Sequence, residues 1–274
     1  MNGQSDALVV ERLVKEYRVH RTAFRAVDDV SFRIPRGTTF GLVGESGSGK
    51  STIARCALNL IEPTSGRSLI DGADPSRLRS GALRRLRART GFVFQNPKAA
   101  LNPRLRIRDS IAEPLRTHTS LGAAETEERV TALLDEVGLS TAHADRLPHQ
   151  LSGGQAQRAG VARAIATAPE LIILDEPTSA LDVSVQAQVL NLLQRLKQER
   201  GLSYLLISHD LDVVRYMSDD VGVMRAGRMV EHGAAEVVLT APSHDYTRQL
   251  LAAMPATPGA AALARGGDER TILL

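Results

Sequence analysis

The 274-residue sequence has no tryptophan and only one cysteine, Cys56. A single cysteine excludes an internal disulfide, a four-cysteine zinc site and an iron–sulfur cluster held by this chain alone. A membrane span is not expected. No run of about 18 uncharged apolar residues occurs, and the mean hydropathy is -0.13. The start, Met1 to Glu11, lacks a basic stretch followed by a long apolar one, so no signal peptide is expected and the simplest placement is cytosolic. A surplus of one charge is lacking as well: 34 Lys and Arg face 31 Asp and Glu, a net charge of +3. The pI of about 9.3 therefore marks no nucleic-acid footprint. Lysine is scarce, with four (Lys15, Lys50, Lys98 and Lys197) against 30 arginines. That skew reads as genome composition, yet it makes any lysine within a motif more informative. What is present is ordinary for a folded protein. Hydrophobic residues make up 43% and charged residues 24%. This excludes a wholly disordered chain and suffices for one large domain or two small ones with a sizeable core.

The first third reads as strands. Ala7 to Val10 and Val27 to Ile34 are apolar or alternating, and the second ends at the turn signal Pro35-Arg36-Gly37. Thr38 to Val43 is a short apolar run that stops at glycines. A helix is predicted over Ile53 to Ile61, closed by Pro63 to Gly66, with strands at Ser68 to Ile70 and Gly91 to Gln95. Arg77 to Arg89 carries six arginines without interleaved aromatics, the pattern of a solvated helix face rather than of a base-stacking surface. From Asn96 to Gln150 the pattern is helical. Val130, Leu133, Leu134 and Val137 share one face, which suggests a helical insertion into an α/β core. Leu171 to Leu174 and Tyr204 to Ile207 are buried-type strands of a parallel sheet covered on both faces. Between them Val185 to Arg200 is helical. Val221 to Met224 and Arg228 to Glu231 form a hairpin about Ala226-Gly227. The chain from Pro255, rich in Ala, Gly and Pro without periodicity, is expected to be poorly ordered over 256–274.

Gly44-Glu45-Ser46-Gly47-Ser48-Gly49-Lys50-Ser51 fits the phosphate-binding pattern G-x-x-x-x-G-K-[ST], between a predicted strand and a predicted helix. Glycines let the backbone curl so that its N–H groups face phosphate oxygens, and the helix start adds its positive dipole end. Lys50 is placed to reach the β- and γ-phosphates, and the Ser51 hydroxyl to ligate Mg²⁺. This marks a site for a purine-nucleotide triphosphate. The strand Leu171 to Leu174 delivers Asp175 and Glu176 to the carboxyl edge of the sheet, where α/β proteins bind ligands. Asp175 suits the Mg²⁺ role and Glu176 the polarisation of an attacking water. Leu151-Ser152-Gly153-Gly154-Gln155 precedes a helical segment, Ala156 to Ala168, and reads as a second anion-binding helix start.

At LSGGQ the sequence resembles the ATP-binding cassette ATPases, and the likeness extends over about residues 7 to 255 with the motifs in family order. The resemblance implies an α/β fold with a P-loop NTPase-type core, mainly a parallel sheet. It also implies an antiparallel β subdomain and a helical insertion subdomain at about 96–165, all within one ATPase domain spanning 1–255. It places Tyr17 on the adenine, Gly44 to Thr52 (including Glu45, Ser46, Ser48 and Thr52) around the phosphates, and Gln95 on Mg²⁺ and the attacking water. Ser152, Gly153, Gly154 and Gln155 would act on the nucleotide held by the other subunit of a head-to-tail dimer. Asp182 lies in the dimer-crossing D-loop, and His209 would contact the γ-phosphate. Lys50, Gln95, Glu176 and His209 form the implied catalytic set, with Ser51, Gln95 and Asp175 around the metal.

Within that family, Phe94 to Arg104, Ala180 to Leu193 and His244 to Leu251 are similar to segments of the dipeptide, oligopeptide and nickel import ATPases. Asp245, Lys98 and Ala156 depart from the usual residues there, outside the catalytic set. The implied ligands are ATP and Mg²⁺. The implied partners are a second ATPase subunit, identical or paralogous, two membrane permeases and, through the complex, an extracytoplasmic solute-binding protein, with no nucleic acid. The chain would then sit peripherally on the cytoplasmic face of the inner membrane. Import of oligopeptides or dipeptides is the first expectation. Alternatives are import of nickel or another small solute, and a non-transport accessory ATPase such as those of phosphonate breakdown.

Overall fold

The computed structural model describes residues 6–19 and 22–253; the tail expected over 256–274 lies outside them. In chain order, β1 (Leu8–Val19) and β2 (Thr22–Ile34) precede β3 (Thr39–Gly44), α1 (Lys50–Ala57) and β4 (Ser65–Ile70). Then come α2 (Ser80–Ala88), β5 (Thr90–Val93) and the helices α3 (Pro97–Ala100), α4 (Ile107–His118), α5 (Ala123–Glu136) and α6 (Gly153–Ile165). β6 (Leu171–Asp175), α7 (Val183–Arg200), β7 (Ser203–Ile207) and α8 (Leu211–Met217) follow. The described chain closes with β8 (Asp220–Arg225), β9 (Arg228–Ala234), α9 (Ala235–Thr240) and α10 (Asp245–Ala253).

Two sheets result. The smaller is antiparallel, with order β2-β1-β4. The larger has order β5-β6-β7-β3-β8-β9; its first five strands are parallel and β9 returns antiparallel. The fully buried β3, β6 and β7 explain the continuous apolar runs, since a parallel sheet covered on both faces has no solvent side. Alternation still decides which core each residue joins. Ile173, Leu205 and Ile207 pack with Leu42, α1 and the small sheet. Ile172, Leu174, Tyr204 and Leu206 face the helical layer carrying Ile111, Leu133 and Leu193.

The predicted elements differ from the observed ones mainly at their ends. β1 and β2 run well past the apolar stretches, because Glu16↔Arg25, Tyr17↔Phe24 and Arg18↔Ala23 continue the backbone ladder at the tip, with Arg25 Nε also donating to Glu16 Oε1 at 2.6 Å. α1 starts at Lys50 rather than Ile53, its first turn being the polar end of the phosphate loop. It stops at Ala57, before Asn59 turns left-handed with φ 52°. α6 starts at Gly153 rather than Ala156, so the Ser-Gly-Gly-Gln segment is itself the first turn. α8, α9 and α10 have no counterpart among the predicted elements, because six to nine residues are too few to establish a helical period.

α10 is fixed to β9 by one carboxylate. Glu231 accepts hydrogen bonds from Ser243 N–H (2.7 Å), Ser243 Oγ (2.8 Å) and His244 N–H (3.2 Å). Burial pushes the Glu231 carboxyl up, but the nearby Thr247 hydroxyl and the Ser243 and His244 donors outweigh it and hold the group down to about 2, against an ordinary 4.5. A carboxylate whose folded pKa is depressed stabilises the fold above its unfolded pKa, and that contribution fades as pH falls through the folded value. Glu231→Gln should therefore lower the unfolding temperature at neutral pH, with the gap to the wild type closing between pH 4.5 and about 2. A gap independent of pH over that range, followed by circular dichroism, would contradict the assignment.

Candidate functional site

Four strand ends of the larger sheet converge at its carboxyl edge. β3 delivers the glycine-rich loop, β6 delivers Asp175 and Glu176, β7 leads to His209, and β5 leads to Gln95. Strand order makes β5, β6 and β7 neighbours, which is why residues 81 and 33 apart in sequence meet. Gln95 Nε2 donates to Glu176 Oε2 at 2.7 Å, and His209 Nδ1 lies 3.3 Å from Glu176 Oε1. The Glu176 carboxylate is thus held from both sides. Its backbone is left-handed, φ 48°, and is pinned by its own N–H donating to the Ile207 carbonyl at 2.9 Å. A non-glycine residue in that conformation costs ~1–3 kcal/mol, a strain that clusters at functional positions.

The loop wraps around the buried Lys50. The ammonium donates to the carbonyls of Gly44 and Glu45, both at 2.8 Å, and to Ser48 Oγ at 3.3 Å. Burial pushes the Lys50 pKa down, opposed by the charges of Glu176, Asp175 and Glu45. Asp175 is pushed up, again chiefly by burial, against the hydrogen bond that Ser51 Oγ donates to its Oδ1 at 2.9 Å. A desolvated cation at the end of the loop and a desolvated anion at the end of β6, linked through Ser51, are poised to interact with further charge. Polyphosphate answers the lysine, and a cation answers the aspartate.

The Mg²⁺ implied by the sequence can be tested against these donors. Ser51 Oγ and Asp175 Oδ1 are hard oxygens in contact with each other. Among the described residues no group of three or more His, Cys, Asp or Glu could cage a metal. That is the donor set of an ion that keeps waters and shares substrate phosphates, as Mg²⁺ does, and the residues fit it.

A cleft of about 370 Å³ is lined by Tyr17, Ser46, Gly47, Gly49, Lys50, Ser51, Thr52, Gln95 and Glu176, joined by Phe24 and Ala26. Asp175 joins it through Ser51, and His209 through Glu176. Gly44, Glu45 and Ser48 lie behind it as supports of Lys50. Phe24 is absent from the sequence-based set. It sits directly opposite Tyr17 in the hairpin register and is 57% exposed, so it adds a second ring to the same wall. The only sequence signal for it is an aromatic on a strand that continues past its apolar stretch. Lys15 Nζ lies 5.1 Å from the Tyr17 ring centroid.

Ser152, Gly153, Gly154, Gln155 and Asp182 do not line this cleft. Ser152 caps α6: its Oγ accepts the Gln155 N–H at 3.2 Å, while Gln155 Oε1 accepts the Ser152 N–H at 3.0 Å. That reciprocal capping occupies the Gln155 side chain. Asp182 caps α7 by accepting from Val185 N–H at 2.9 Å and Ser184 Oγ at 2.8 Å. The glycines also have a packing reason to be small, since a Cβ on Gly154 would lie 2.3 Å from Val185 Cγ1. Overpacking of that kind costs ~1–3 kcal/mol. Gly154→Ala should accordingly destabilise the chain, and adding Val185→Ala should recover most of the loss. Thermal unfolding of the three variants checks this, and no recovery in the pair would refute the packing argument.

Comparison with known proteins agrees with this geometry. Residues 27–179 match the family model described as "ABC transporter". The chain is 50% identical to the oligopeptide transport ATP-binding protein OppF of Streptococcus mutans over 232 residues, covering 84% of this chain and 75% of that protein. It is 50% identical to the oligopeptide transport ATP-binding protein AppF of Bacillus subtilis over 234 residues, covering 85% and 71%. Among solved structures it resembles the dimeric ATP-binding cassette MJ0796 bound to ADP and Pi. The TM-score there is 0.77 at 30% identity, with 83% of this chain and 98% of that one covered. It also resembles cbiO1 of Clostridium perfringens, from the ABC transporter complex cbiONQ, with a TM-score of 0.73 at 29% identity, covering 86% and 96%. The chain belongs to the ABC transporter family of ATP-binding cassette proteins.

Proposed function

We propose that this chain hydrolyses ATP to drive an importer of oligopeptides or dipeptides, and that it works as one half of a head-to-tail ATPase dimer. The observation that carries the reading is Glu176, fixed between Gln95 and His209 at the edge of a cleft whose other wall is the Lys50 loop. In this reading the adenine meets Tyr17, the loop from Gly44 to Thr52 receives the phosphates, and Lys50 leaves its loop carbonyls for the β- and γ-oxygens. Ser51 and Asp175 would hold Mg²⁺ with Gln95 nearby; bound there, the ion neutralises phosphate charge. Glu176 accepts a proton from the water that attacks the γ-phosphorus in line, while the Lys50 ammonium and an N–H of the His209 ring stabilise charge on the transferred oxygens. Ser152, Gly153 and Gly154 act on the partner subunit's nucleotide, a reading supported by their standing outside the lining of this chain's own cleft. ATP bridging two surfaces favours the closed dimer, and hydrolysis removes the bridge.

The helical layer from α3 to α6 leads out of Gln95 and is the part proposed to meet two membrane permeases. Partnership with permeases and peptide specificity rest on the names of the relatives above. Among the described residues no helix is long and apolar enough to cross a membrane, so attachment to the cytoplasmic face would be through those permeases. The test is reconstitution with the permeases and binding protein encoded beside this chain's gene. ATP hydrolysis stimulated by a peptide-loaded binding protein is the expected result. Hydrolysis indifferent to peptides but stimulated by nickel, or to any permease, would overturn the peptide-import reading.

A further inference from the structure

The segment His244 to Leu251 takes no part in the chemistry above, although it is one of the stretches similar to the peptide and nickel import ATPases. α10 carries it to the underside of the phosphate loop. With its start fixed to β9 by Glu231, the helix buries Tyr246 to 4% exposure. The Arg225 guanidinium, at the end of β8, lies 4.7 Å from the Tyr246 ring centroid. Arg225 leads into the Ala226-Gly227 turn, and Gly227 N–H donates to the Ser48 carbonyl of the loop at 3.0 Å. Met224 comes so close to the loop's first glycine that a Cβ on Gly44 would lie 2.2 Å from its carbonyl oxygen. The end of β8 and α10 together form the floor on which the loop begins.

One atom of that floor lacks a structural explanation. The Tyr246 hydroxyl is buried with no partner in hydrogen-bond geometry. Burial pushes its pKa up; the Glu45 backbone N–H works against that rise, while the Glu45 charge and the nearness of its carboxylate to the hydroxyl add to it, so Glu45 of the phosphate loop is its neighbour, just short of hydrogen-bond geometry. A phenylalanine would fill the same space without the cost of an unpaired buried hydroxyl. We propose that Tyr246 is a positioning residue for the phosphate loop: its hydroxyl donates to the Glu45 carboxylate when the loop closes on the phosphates of ATP. The C-terminal helix thereby helps to set the affinity for ATP. This rests on the reading of the Gly44 to Thr52 loop as the ATP phosphate site.

The test uses the full chain with Tyr246→Phe, Glu45→Gln and the double variant. Steady-state hydrolysis against ATP concentration is measured together with thermal unfolding in the absence of nucleotide. Tyr246→Phe is expected to raise KM for ATP about ten- to a hundredfold, the size of one lost hydrogen bond to a charged group, with kcat within about twofold of wild type. Its unfolding temperature should be no lower than that of the wild type. The double variant should be no worse than the worse single one, because both remove the same bond. An unchanged KM, a KM effect that multiplies with Glu45→Gln, or a kcat loss tracking a lower unfolding temperature would overturn the proposal. A wild type that neither binds nor hydrolyses ATP would overturn the ATPase reading and the proposal with it. An active wild type whose curve the Tyr246→Phe variant reproduces would overturn the proposal alone.

Discussion

Glu176→Gln is expected to lower ATP turnover by about 10²–10⁴-fold, the range for losing a positioned general base, while ATP binding stays as tight or tightens. The two halves of this result have separate causes. Glutamine has the size and shape of the carboxylate it replaces, so the contacts with Gln95 and His209 leave room for it. An amide is no base, however, and cannot take the proton of an attacking water. Binding is spared because Glu176 faces the cleft as a negative charge. Its loss removes repulsion toward phosphate oxygens and one of the charges now holding up the Lys50 pKa against burial. Asp175, beside it in sequence, is a different matter. It accepts from Ser51 and is buried, so its replacement should weaken binding in the presence of Mg²⁺ rather than stop chemistry alone. Phosphate release in a single-turnover experiment, paired with equilibrium nucleotide binding, separates the two. Turnover within about threefold of wild type would refute Glu176 as the base, since even the low end of the general-base range is larger.

The readable parts of this site are those in which chemistry and local structure share one stretch of chain. The loop from Gly44 to Ser51 is legible because its glycines, lysine and hydroxyl occupy fixed offsets between a strand and a helix. Asp175 and Glu176 are legible because a fully apolar strand ends on two carboxylates. Gln95 and His209 are less so. Each is an isolated polar residue after a core strand, and only the order β5-β6-β7 brings both onto one carboxylate. The resemblance to a family, rather than any periodicity, singles them out. Phe24 escapes because its place depends on how far the β1–β2 hairpin extends beyond its apolar half, and that extension is made by backbone pairing with no side-chain pattern of its own. α10 escapes for a related reason. Its helix is short, and what fixes it is a carboxylate on β9 that accepts from the start of the helix, a contact invisible to any local window. The signature segment shows a third kind of failure. Ser152 and Gln155 carry a capping pattern that sequence alone displays, yet the need for Gly154 comes from Val185 on α7, far along the chain.

Gly49 and Gly47 should respond very differently to the same substitution, although a motif treats them alike. Both have positive φ, 106° and 79°, so alanine at either position is strained. A left-handed conformation costs an alanine ~1–2 kcal/mol. At Gly47 nothing lies within 4 Å of the added Cβ, and that conformational cost is the whole effect. At Gly49 the Cβ would sit 2.2 Å from the Ala26 carbonyl oxygen, a backbone atom of β2 that cannot rotate away. The small sheet would have to move off the loop, and Ala26 itself lines the cleft. Overpacking adds ~1–3 kcal/mol to the conformational cost. At roughly 2–4 °C per kcal/mol, Gly49→Ala should unfold some 5–15 °C below the wild type, and Gly47→Ala only a few degrees below it. ATP binding should follow the same order, because displacing β2 separates the Tyr17 and Phe24 wall from the phosphate loop. The glycine that the phosphate-binding pattern calls for at position 49 is thus demanded first by the neighbouring strand. Equal unfolding temperatures for the two variants would refute that reading, because the conformational strain they share would then be the only cost.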